Sequence, residues 1–352
     1  MTKTFDNLYE ELTSYENLEK ALNKVMSRGR QYRKRAVRFN MYREKNLLAI
    51  QKSLKDHTYT VKPYIKFWVN DPKKRLIYAP QLEDKIVQLA VHNILEKIYK
   101  DVFISDSYAC QKEKGTLAAV NSVQRDMRIA EREFSEPYIV SVDVSKFFYR
   151  INRYALKRSV RKKIKCRNTL WLIDLIIDSS PDGDVGIPLG NVTSQDFANL
   201  TLNEIDQYVQ RFLGIRYYTR YMDDMIAIVD GKEKAKWLKV MICNRLETHL
   251  ALEANPKKSQ IFPLSQGVNA YGYKIWTTHK LVRDQSKRKM KRRIKAMHRK
   301  LENGQMELED VVQAVNSWLG HARHSNSFNL CKKIFEKYEY IKIEGDEYFG
   351  NR

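Results

Sequence analysis

Three aspartates occupy positions where carboxylates can act together on a phosphate group. Asp143 comes at the end of an apolar run, and the adjacent pair Asp223 and Asp224 lies between two runs of strand-forming residues. Carboxylates in such places repel each other and are costly to bury unless a cation neutralises them. Mg²⁺ prefers oxygen ligands, and two such ions can hold the attacking and leaving oxygens of a phosphoryl displacement. We therefore predict that Asp143, Asp223 and Asp224 are catalytic residues that bind two Mg²⁺ ions.

The pair at 223–224 also has a purely structural interpretation. Aspartate is a frequent turn former, so two of them at a hairpin need no metal. The additional acid at 143 favours the metal site, because all three acids are predicted on or beside strands. The pattern alone does not specify which phosphoryl transfer follows.

Two β segments must bring the acids together. Residues 138–144 predict a mostly apolar strand that carries Asp143, and residues 217–229 predict a hairpin with the other two acids at or near its turn. Strand-forming residues also fill 59–78, around a turn at 70–72. Apolar residues at helical spacing predict helices over about the first 40 residues and over 83–99, 154–165 and 194–212.

The C-terminal part of the chain changes character. Residues 285–300 carry nine Lys or Arg and no acid, and an apolar stripe runs through 290–301. A second apolar stripe runs through 308–319. We predict two amphipathic helices, one of them strongly basic, that form a small bundle.

The charge balance indicates a polyanionic partner. The 352 residues include 64 Lys and Arg against 42 Asp and Glu, a formal net charge of +22. Nucleic acid is the first candidate and an anionic membrane surface the second. The four cysteines lack zinc-ligand spacing, which fits a reducing cytoplasm. We expect neither a signal peptide nor a membrane span, because the N-terminus is acidic and no apolar run approaches ~18 residues.

Three segments together resemble the catalytic boxes of reverse transcriptases. Tyr-Met-Asp-Asp at 221–224 is similar to the signature box, and Asp143 with aromatic residues at 147 and 148 is similar to the first box. Residues 186–195 lie between them, where the family's nucleotide-pocket loop and helix belong. Further segments resemble three fingers elements, the palm lysine region and the primer-grip turn: 73–78, 84–88, 107–116, 256–258 and 269–273.

This resemblance, which runs from about residue 5 to 335, implies a fold and an activity. The implied fold is α+β, a right-hand polymerase of fingers, palm and thumb with an antiparallel sheet in the palm and a helical thumb. The expected division places an N-terminal helical region and the fingers at 1–135, the palm with part of the fingers at 136–265, and the primer grip with a helical thumb at 266–352. The implied activity is RNA-directed DNA polymerisation from dNTPs, with the primer 3′-hydroxyl as nucleophile.

The nucleotide-pocket box is similar to that of diversity-generating retroelement reverse transcriptases. Most reverse transcriptases carry Gln-Gly and later Ser-Pro here, whereas this chain has Leu189-Gly190 and Ser194-Gln195. Gln111 departs from that subfamily, which carries Arg at this point. Membership implies adenine-mutagenised cDNA copied from a template-repeat RNA, a structured retroelement RNA and an RNA–DNA duplex as ligands, and a small basic accessory variability protein that can be oligomeric. It also implies a cytoplasmic, bacterial or phage-encoded enzyme with no membrane partner.

The resemblance also implies roles for residues around the acids. Phe148 is the expected sugar gate, since a ring beneath the ribose excludes a 2′-hydroxyl; otherwise it is a core aromatic. Leu189 would pack on the nascent base pair without the hydrogen bonds of a glutamine, which predicts looser checking; otherwise it is an ordinary buried leucine. Lys258 is the expected proton donor to pyrophosphate, or else a surface lysine. The other expected nucleotide-binding residues are Lys74, Arg75, Gly190 and Gln195.

Contacts with nucleic acid are expected at the primer-grip turn and in two basic segments. The predicted primer grip is Tyr271, Gly272 and Tyr273. The predicted phosphate-binding residues are Arg30, Arg33, Lys34, Arg35, Lys287, Arg288, Lys291, Arg292 and Lys295. A solvated basic face is the alternative for these cations.

Two other functions fit the sequence. A bacterial defence or abortive-infection reverse transcriptase carries the same boxes, and its gene neighbourhood would lack a template-repeat and variable-repeat pair. A non-catalytic RNA-binding scaffold fits the charge, but it has no need for three acids at strand ends.

Overall fold

A computed structural model describes residues 4–70, 74–181 and 183–335. Residues 71–73, part of a predicted turn and fingers strand, and residues 336–352, the end of the predicted thumb, lie outside the described residues. The N-terminal part holds five helices, α1 (Tyr9–Leu12), α2 (Tyr15–Met26), α3 (Lys34–Met41), α4 (Arg43–Lys55) and α5 (Leu82–Tyr99). An antiparallel hairpin, β1 (Ile65–Val69) and β2 (Arg75–Ala79), lies between α4 and α5.

The central part of the chain alternates helices with a four-stranded antiparallel sheet. Its helices are α6 (Thr116–Glu133), α7 (Phe147–Arg150), α8 (Arg153–Arg161), α9 (Arg167–Asp178), α10 (Thr193–Gln207) and α11 (Lys232–Leu250). Its strands are β3 (Pro137–Asp143), β4 (Tyr217–Tyr221), β5 (Asp224–Asp230) and β6 (Gln260–Pro263), and they lie in the order β4-β5-β3-β6.

Alternation along β3 explains why its sequence is almost wholly apolar. Successive side chains of a strand point to opposite faces of the sheet. Val140 and Val142 pack in the large core that includes residues of α10 and α11, whereas Ile139 packs in a second core with residues of α6. Both faces of the sheet are therefore covered along most of the strand, and Asp143 lies at its end.

The C-terminal part consists of a small sheet followed by helices. The strands β7 (Val268–Ala270), β8 (Tyr273–Ile275) and β9 (Lys280–Val282) form a three-stranded antiparallel sheet. Helices α12 (Asp284–Glu302), α13 (Leu308–Ala322) and α14 (Phe328–Phe335) share a third core. The two predicted apolar stripes supply much of that core, so the two predicted amphipathic helices form and pack together.

Most predicted elements are present with shifted ends. The helix predicted over 154–165 ends at Arg161, and the helix predicted over 194–212 ends at Gln207, followed by a π-helical turn over Tyr208–Phe212. The hairpin over 217–229 forms as β4 and β5. Among the described residues, none of the helices combines the length and apolar character that crossing a bilayer requires.

Candidate active site

Strand register places the predicted acids side by side. Asp143, the last residue of β3, pairs with Asp224, the first residue of β5. Asp223 lies in the turn between β4 and β5, and its carbonyl accepts a hydrogen bond from the Val144 amide at 3.3 Å. Met222, just before it, has a left-handed backbone with φ of 52°. The antiparallel pairing thus brings together residues 81 positions apart in the chain.

Asp143 is held on several sides by the segment after α11. Its side chain is buried, and its carboxylate forms an ion pair with the Lys258 ammonium. The Asn255 side-chain amide donates to the other carboxylate oxygen at 3.0 Å. The Asn255 backbone amide donates to the Asp143 carbonyl at 2.7 Å, and the Ser259 hydroxyl accepts from the Asp143 amide at 3.3 Å. The carboxylate therefore has a fixed orientation toward the other two acids.

Burial and neighbouring acids raise the pKa of both Asp223 and Asp224. Burial, the charge of Asp223 and hydrogen bonding with Asp143 raise the pKa of Asp224 to about 7. Burial and the charge of Asp143 also raise the pKa of Asp223, while the cations Lys258 and Arg75 oppose the shift. Burial lowers the pKa of Lys258, but its ion pair with Asp143 and the two further acids outweigh this and raise it. The cluster is thus short of positive charge.

The aspartate carboxylates offer oxygen ligands that suit a divalent cation, provided that the cation displaces Lys258. Among the described residues, no group of three or more His, Cys, Asp or Glu side chains forms a ready-made metal cluster. Lys258 and Asn255 engage the two oxygens of Asp143. The pKa of Asp224 is raised although the Lys258 ammonium lies nearby and opposes the shift. Carboxylate oxygens are the ligands that a hard divalent cation takes, so release of Lys258 from Asp143 would leave a suitable site.

A loop before α10 joins the acid cluster to the β1–β2 hairpin. The Ile187 amide donates to the Phe148 carbonyl at 2.9 Å, and the Tyr78 amide donates to the Leu189 carbonyl at 2.7 Å. Gly190 has a φ of 127°, and a Cβ there would lie 2.5 Å from the Tyr78 carbonyl oxygen. Only glycine fits such a close approach of two backbones. The loop therefore connects α7, which follows Asp143, to the strand that begins with Arg75.

The predicted nucleotide-binding residues surround this loop. Phe148 is partly buried, with its ring edge-on to Phe147 at a centroid distance of 5.5 Å. Leu189 is half-buried, and Gln195 is exposed in the first turn of α10. The Lys74 ammonium lies 4.7 Å from the centre of the Trp68 ring on β1. The structure thus places Lys74 on the hairpin, Leu189 in the loop and Gln195 at the start of the helix that follows the loop.

An open cleft of about 820 Å³ extends from the acids on their other side. Its lining begins at Asp143, Asp224 and Lys258 and continues along β6 and β7 to Arg283 at the start of α12. The exposed cations of α12, including the predicted Arg288, Lys291, Arg292 and Lys295, follow from there. Lys287 is partly buried and forms an ion pair with Asp284 at 2.9 Å.

Sequence and fold comparisons now identify the family. Residues 69–275, more than half of the chain, match the sequence family described as reverse transcriptase (RNA-dependent DNA polymerase). The chain belongs to the reverse transcriptase family. The described acids, the 186–190 loop and strand β2 lie within the matched region, whereas β1 enters it only at its last residue.

Individual relatives of this family member are distant. The chain is 25% identical to protein YkfC of Escherichia coli over 254 residues, covering 61% of this chain and 65% of that protein. It is 24% identical over 306 residues to the group II intron-encoded protein LtrA of Lactococcus lactis, covering 66% and 50%. The chain therefore spans between half and two thirds of the length of these two relatives.

The fold comparison confirms the expected polymerase architecture. The solved structure of telomerase from Candida albicans, with a fragment of telomeric RNA, matches with a TM-score of 0.50 at 12% identity. The match covers 84% of this chain and 58% of the telomerase chain. The α+β, right-hand polymerase fold predicted from the sequence is thus confirmed for this reverse transcriptase family member.

The predicted primer-grip tyrosines are buried in this family member. Tyr271 and Tyr273 flank a turn at Gly272, and both side chains point into the protein. The Tyr271 hydroxyl donates to the Thr219 carbonyl at 3.4 Å, and the Tyr273 hydroxyl donates to the His321 carbonyl at 2.8 Å. These tyrosines connect the acid hairpin to the C-terminal helices. Because both tyrosine side chains are buried, a primer at these two residues would contact backbone atoms.

The N-terminal basic residues form an exposed surface of their own. Arg30 lies in a short 3₁₀ turn, and Arg33, Lys34 and Arg35 lie at the start of α3, all exposed. Burial and the charges of Arg33 and Arg30 lower the pKa of the neighbouring Lys85. The exposed cations therefore form a positively charged surface at the start of α3.

Sequence reasoning missed several residues that support the acids. Asn255 and Ser259 flank the predicted Lys258, so their proximity to it in the chain was an available signal. Arg220 precedes the signature box and is fully buried. Nothing in a strand pattern distinguishes a buried arginine from an exposed one, because its partners come from distant parts of the chain.

Proposed function

We propose that this protein is an RNA-directed DNA polymerase that extends a primer along an RNA template. The observation that supports this most is the register pairing of Asp143 with Asp224, with Asp223 beside them, at one end of an open basic cleft. Carboxylates in this arrangement would hold two Mg²⁺ ions, which when bound activate the primer hydroxyl and stabilise the leaving oxygen. Membership of the reverse transcriptase family supports the choice of RNA as template.

Residue roles follow from positions around the cluster. We propose that Lys74 and Arg75 bind the triphosphate, since arginine offers paired donors to phosphate and the charge of Arg75 reaches Asp223. Lys258, which pairs with Asp143 here, would be the proton donor to the leaving pyrophosphate once bound metal ions replaced it at that carboxylate. Phe148, Leu189, Gly190 and Gln195 complete the nucleotide pocket.

The same proposal divides the chain into working parts. Residues 1–135 act as the N-terminal region and fingers, 136–265 as the palm with part of the fingers, and 266–352 as the primer grip and thumb. The bonds of the 186–190 loop to both α7 and β2 support the shared palm and fingers region. We propose that the template–primer duplex lies in the cleft and contacts the exposed cations of α12, while Arg30, Arg33, Lys34 and Arg35 bind structured RNA.

Primer extension tests the proposal directly. The purified protein, an RNA template annealed to a DNA primer, dNTPs and Mg²⁺ are expected to give extended DNA, and EDTA is expected to stop the reaction. Replacement of the template by DNA of the same sequence measures the preference for RNA. RNA binding without any nucleotide incorporation would contradict the proposal and favour a scaffold.

We propose further that this enzyme serves a diversity-generating retroelement, with a template-repeat RNA and a small basic accessory protein as partners. Leu189 at the position where most reverse transcriptases carry glutamine supports this, together with Ser194-Gln195. The half-buried Leu189 side chain sits in the loop that meets β2. Sequencing of cDNA made from the RNA that flanks the gene is expected to show substitutions mainly at template adenines. A uniform, low error rate would instead favour a defence-type enzyme.

Leu189→Gln is expected to lower errors opposite adenine about tenfold. An amide can hydrogen-bond to the nucleotide or template, whereas leucine discriminates only weakly between similar shapes. The measurement is the substitution spectrum of cDNA copied from one RNA template by each protein. Leu189→Met, which keeps an apolar side chain of similar volume, is the matched control and should leave the spectrum unchanged. An unaltered spectrum in Leu189→Gln would remove this residue from the fidelity argument.

Asp224→Asn is expected to stabilise the metal-free protein by about 1 kcal/mol at pH 8. This change in unfolding free energy is set well below the free energy that corresponds to the whole pKa shift. The folded pKa of Asp224, about 7, lies above its unfolded value, so folding takes up a proton between the two. The wild type therefore loses stability as pH rises from about 4 to about 7, and asparagine avoids that loss. Unfolding in EDTA at pH 5 and pH 8 gives the difference.

Two controls accompany this stability measurement. Asp230→Asn changes the acid at the far end of β5, where asparagine can still accept the hydrogen bond from the Glu136 amide. It should not alter the pH dependence. Added Mg²⁺ should stabilise the wild type more than Asp224→Asn. A variant that is less stable than the wild type at pH 8 in EDTA would contradict the assignment of a repulsive cluster.

A further inference from the structure

A fully buried arginine lies directly beside the acid turn. Arg220, on β4, forms an ion pair with Asp206 of α10, and neither side chain has any exposed surface. The Arg220 side chain is among the largest fully buried ones in the described residues. Moving two charges out of water is costly, and an apolar pair of similar volume is often as stable or more stable. Stability alone is therefore a weak reason for this pair.

The Arg220 guanidinium binds four residues from three parts of the protein. Its Nε and Nη2 atoms donate to the two Asp206 oxygens, each at 2.7 Å. Nη1 donates to the Asn199 side-chain oxygen and to the Met222 carbonyl, both at 3.1 Å, and Nη2 donates to the Ser107 hydroxyl at 3.0 Å. These five contacts match the five N–H groups of an arginine. A planar fork with every donor engaged has little freedom to move.

One of these contacts holds the peptide that leads into the catalytic acids. The Met222 carbonyl belongs to the peptide bond before Asp223, and Met222 itself has a φ of 52°. A non-glycine residue in this region of backbone space persists only where the surroundings enforce it. The hydrogen bond from Arg220 is such a constraint. It fixes the direction from which the Asp223 side chain leaves the turn.

The same arginine ties this turn to the loop between α5 and α6. The Arg220 amide donates to the Asp106 carbonyl at 2.9 Å, and the Tyr108 amide donates to the Arg220 carbonyl at 3.0 Å. The loop is itself folded around the Lys114 ammonium, which donates to the carbonyls of Ser105 at 2.8 Å and Ser107 at 2.9 Å. The acid turn is thus anchored to α10 and to this loop through one side chain.

We propose that Arg220 is a positioning residue for nucleotidyl transfer, which holds the 222–223 peptide so that Asp223 meets Asp143 and Asp224 in a productive arrangement. Its anchors are Asp206, Asn199 and Ser107. This role rests on the proposed polymerase function. It differs from a purely structural role in one consequence: a folded protein that lacks the contact to Met222 should bind its substrates normally and react slowly.

An apolar replacement of the buried ion pair and of the Tyr218 hydroxyl separates the two roles. The triple variant Asp206→Leu, Tyr218→Phe and Arg220→Met removes both charges and the Tyr218 hydroxyl that donates to Asp206. Such a swap is expected to keep the protein folded, with a melting temperature close to that of the wild type. We expect kcat for single-nucleotide addition to fall about 30-fold, since small misplacements cost up to ~10²-fold. KM for dNTP and affinity for the RNA–DNA duplex should change less than threefold.

Two single variants complete the experiment. Tyr218→Phe removes one hydroxyl from the cluster but leaves every Arg220 contact, so it is the matched control and should retain wild-type kcat. Arg220→Lys keeps the charge beside Asp206 but has too few donors to hold Met222 as well. We expect Arg220→Lys to lower kcat about tenfold at unchanged KM. If the triple variant melts well below the wild type, the kinetics of Arg220→Lys decide between a positioning role and a purely structural one.

The outcomes distinguish this proposal from the polymerase assignment. Failure of the wild type to extend any primer would overturn the proposed function itself. A wild type that extends primers, together with a folded triple variant or Arg220→Lys within threefold of its kcat, would overturn the positioning role. Parallel losses in melting temperature, KM and kcat in both Arg220 variants would also overturn it, because they indicate structure alone.

Discussion

Asp223→Ala is expected to lower the rate of nucleotide addition by at least about 10³-fold. The carboxylate is one of three at the ends of β3 and β5, where Asp143 and Asp224 are paired in the strand register. Its removal leaves too few oxygens to hold two cations. The fold should survive, because the change also removes a buried charge whose pKa is raised by burial and by Asp143.

Single-turnover primer extension and duplex binding, measured on the same protein, check this prediction. Affinity for the RNA–DNA duplex is expected to stay within about twofold, since phosphate contacts come from the basic surfaces and not from the acids. Asp101→Ala, at an exposed aspartate outside the cleft, is the matched control and should keep wild-type activity. Synthesis that continues in Asp223→Ala would show that the three acids are not the catalytic site.

The sequence was sufficient to predict the acid cluster because the relevant signals are local. Runs of apolar and aromatic residues define β3 and the β4–β5 hairpin, and antiparallel pairing then allows one arrangement in which strand ends carrying acids meet. The observed register of Asp143 opposite Asp224 agrees with that expectation. The basic and apolar stripes of α12 and α13 were equally readable, since their period is helical.

The partners of the acids were not readable in the same way. The ion pair between Lys258 and Asp143 joins residues 115 positions apart, and the bond from Arg220 to Ser107 spans 113. Such contacts depend on how whole elements pack, and no periodicity encodes them. The burial of Tyr271 and Tyr273 has the same origin, because a turn that resembles a surface grip lies beneath the C-terminal helices in this fold.

Helix boundaries show a related limit. The helix expected to reach residue 212 widens into a π-helical turn from Tyr208, where Tyr208 stacks on Phe212 at 5.3 Å and the Arg245 guanidinium covers the Tyr208 ring. Tertiary packing by α11 therefore decides the end of α10, whereas helical spacing alone runs on through Phe212. Element types follow from local pattern, and element ends follow from neighbours.

Phe148→Ala is expected to lower the preference for dNTP over rNTP about 100-fold. Phe148 lies five residues after Asp143, and its carbonyl accepts from the Ile187 amide at the start of the nucleotide-pocket loop. Its backbone therefore joins the segment after Asp143 to that loop, and its ring is partly buried. A ring in this place excludes a 2′-hydroxyl by contact, and a loss of steric exclusion of this size is reasonable for one side chain. The gain should appear mainly as a higher kcat/KM for rNTP.

Incorporation of a single dNTP or rNTP on the same primer–template gives the ratio. Tyr149→Ala is the matched control, since it truncates the neighbouring exposed aromatic of α7 and should leave the selectivity unchanged. Thermal unfolding of both variants separates selectivity from stability, because Phe148 also packs on Phe147. Unchanged selectivity in a folded Phe148→Ala would show that this ring is a core aromatic and not the sugar gate. Another group would then have to recognise the sugar. A parallel fall in dNTP and rNTP incorporation would instead indicate that the ring positions the 186–190 loop, since both substrates use the same loop.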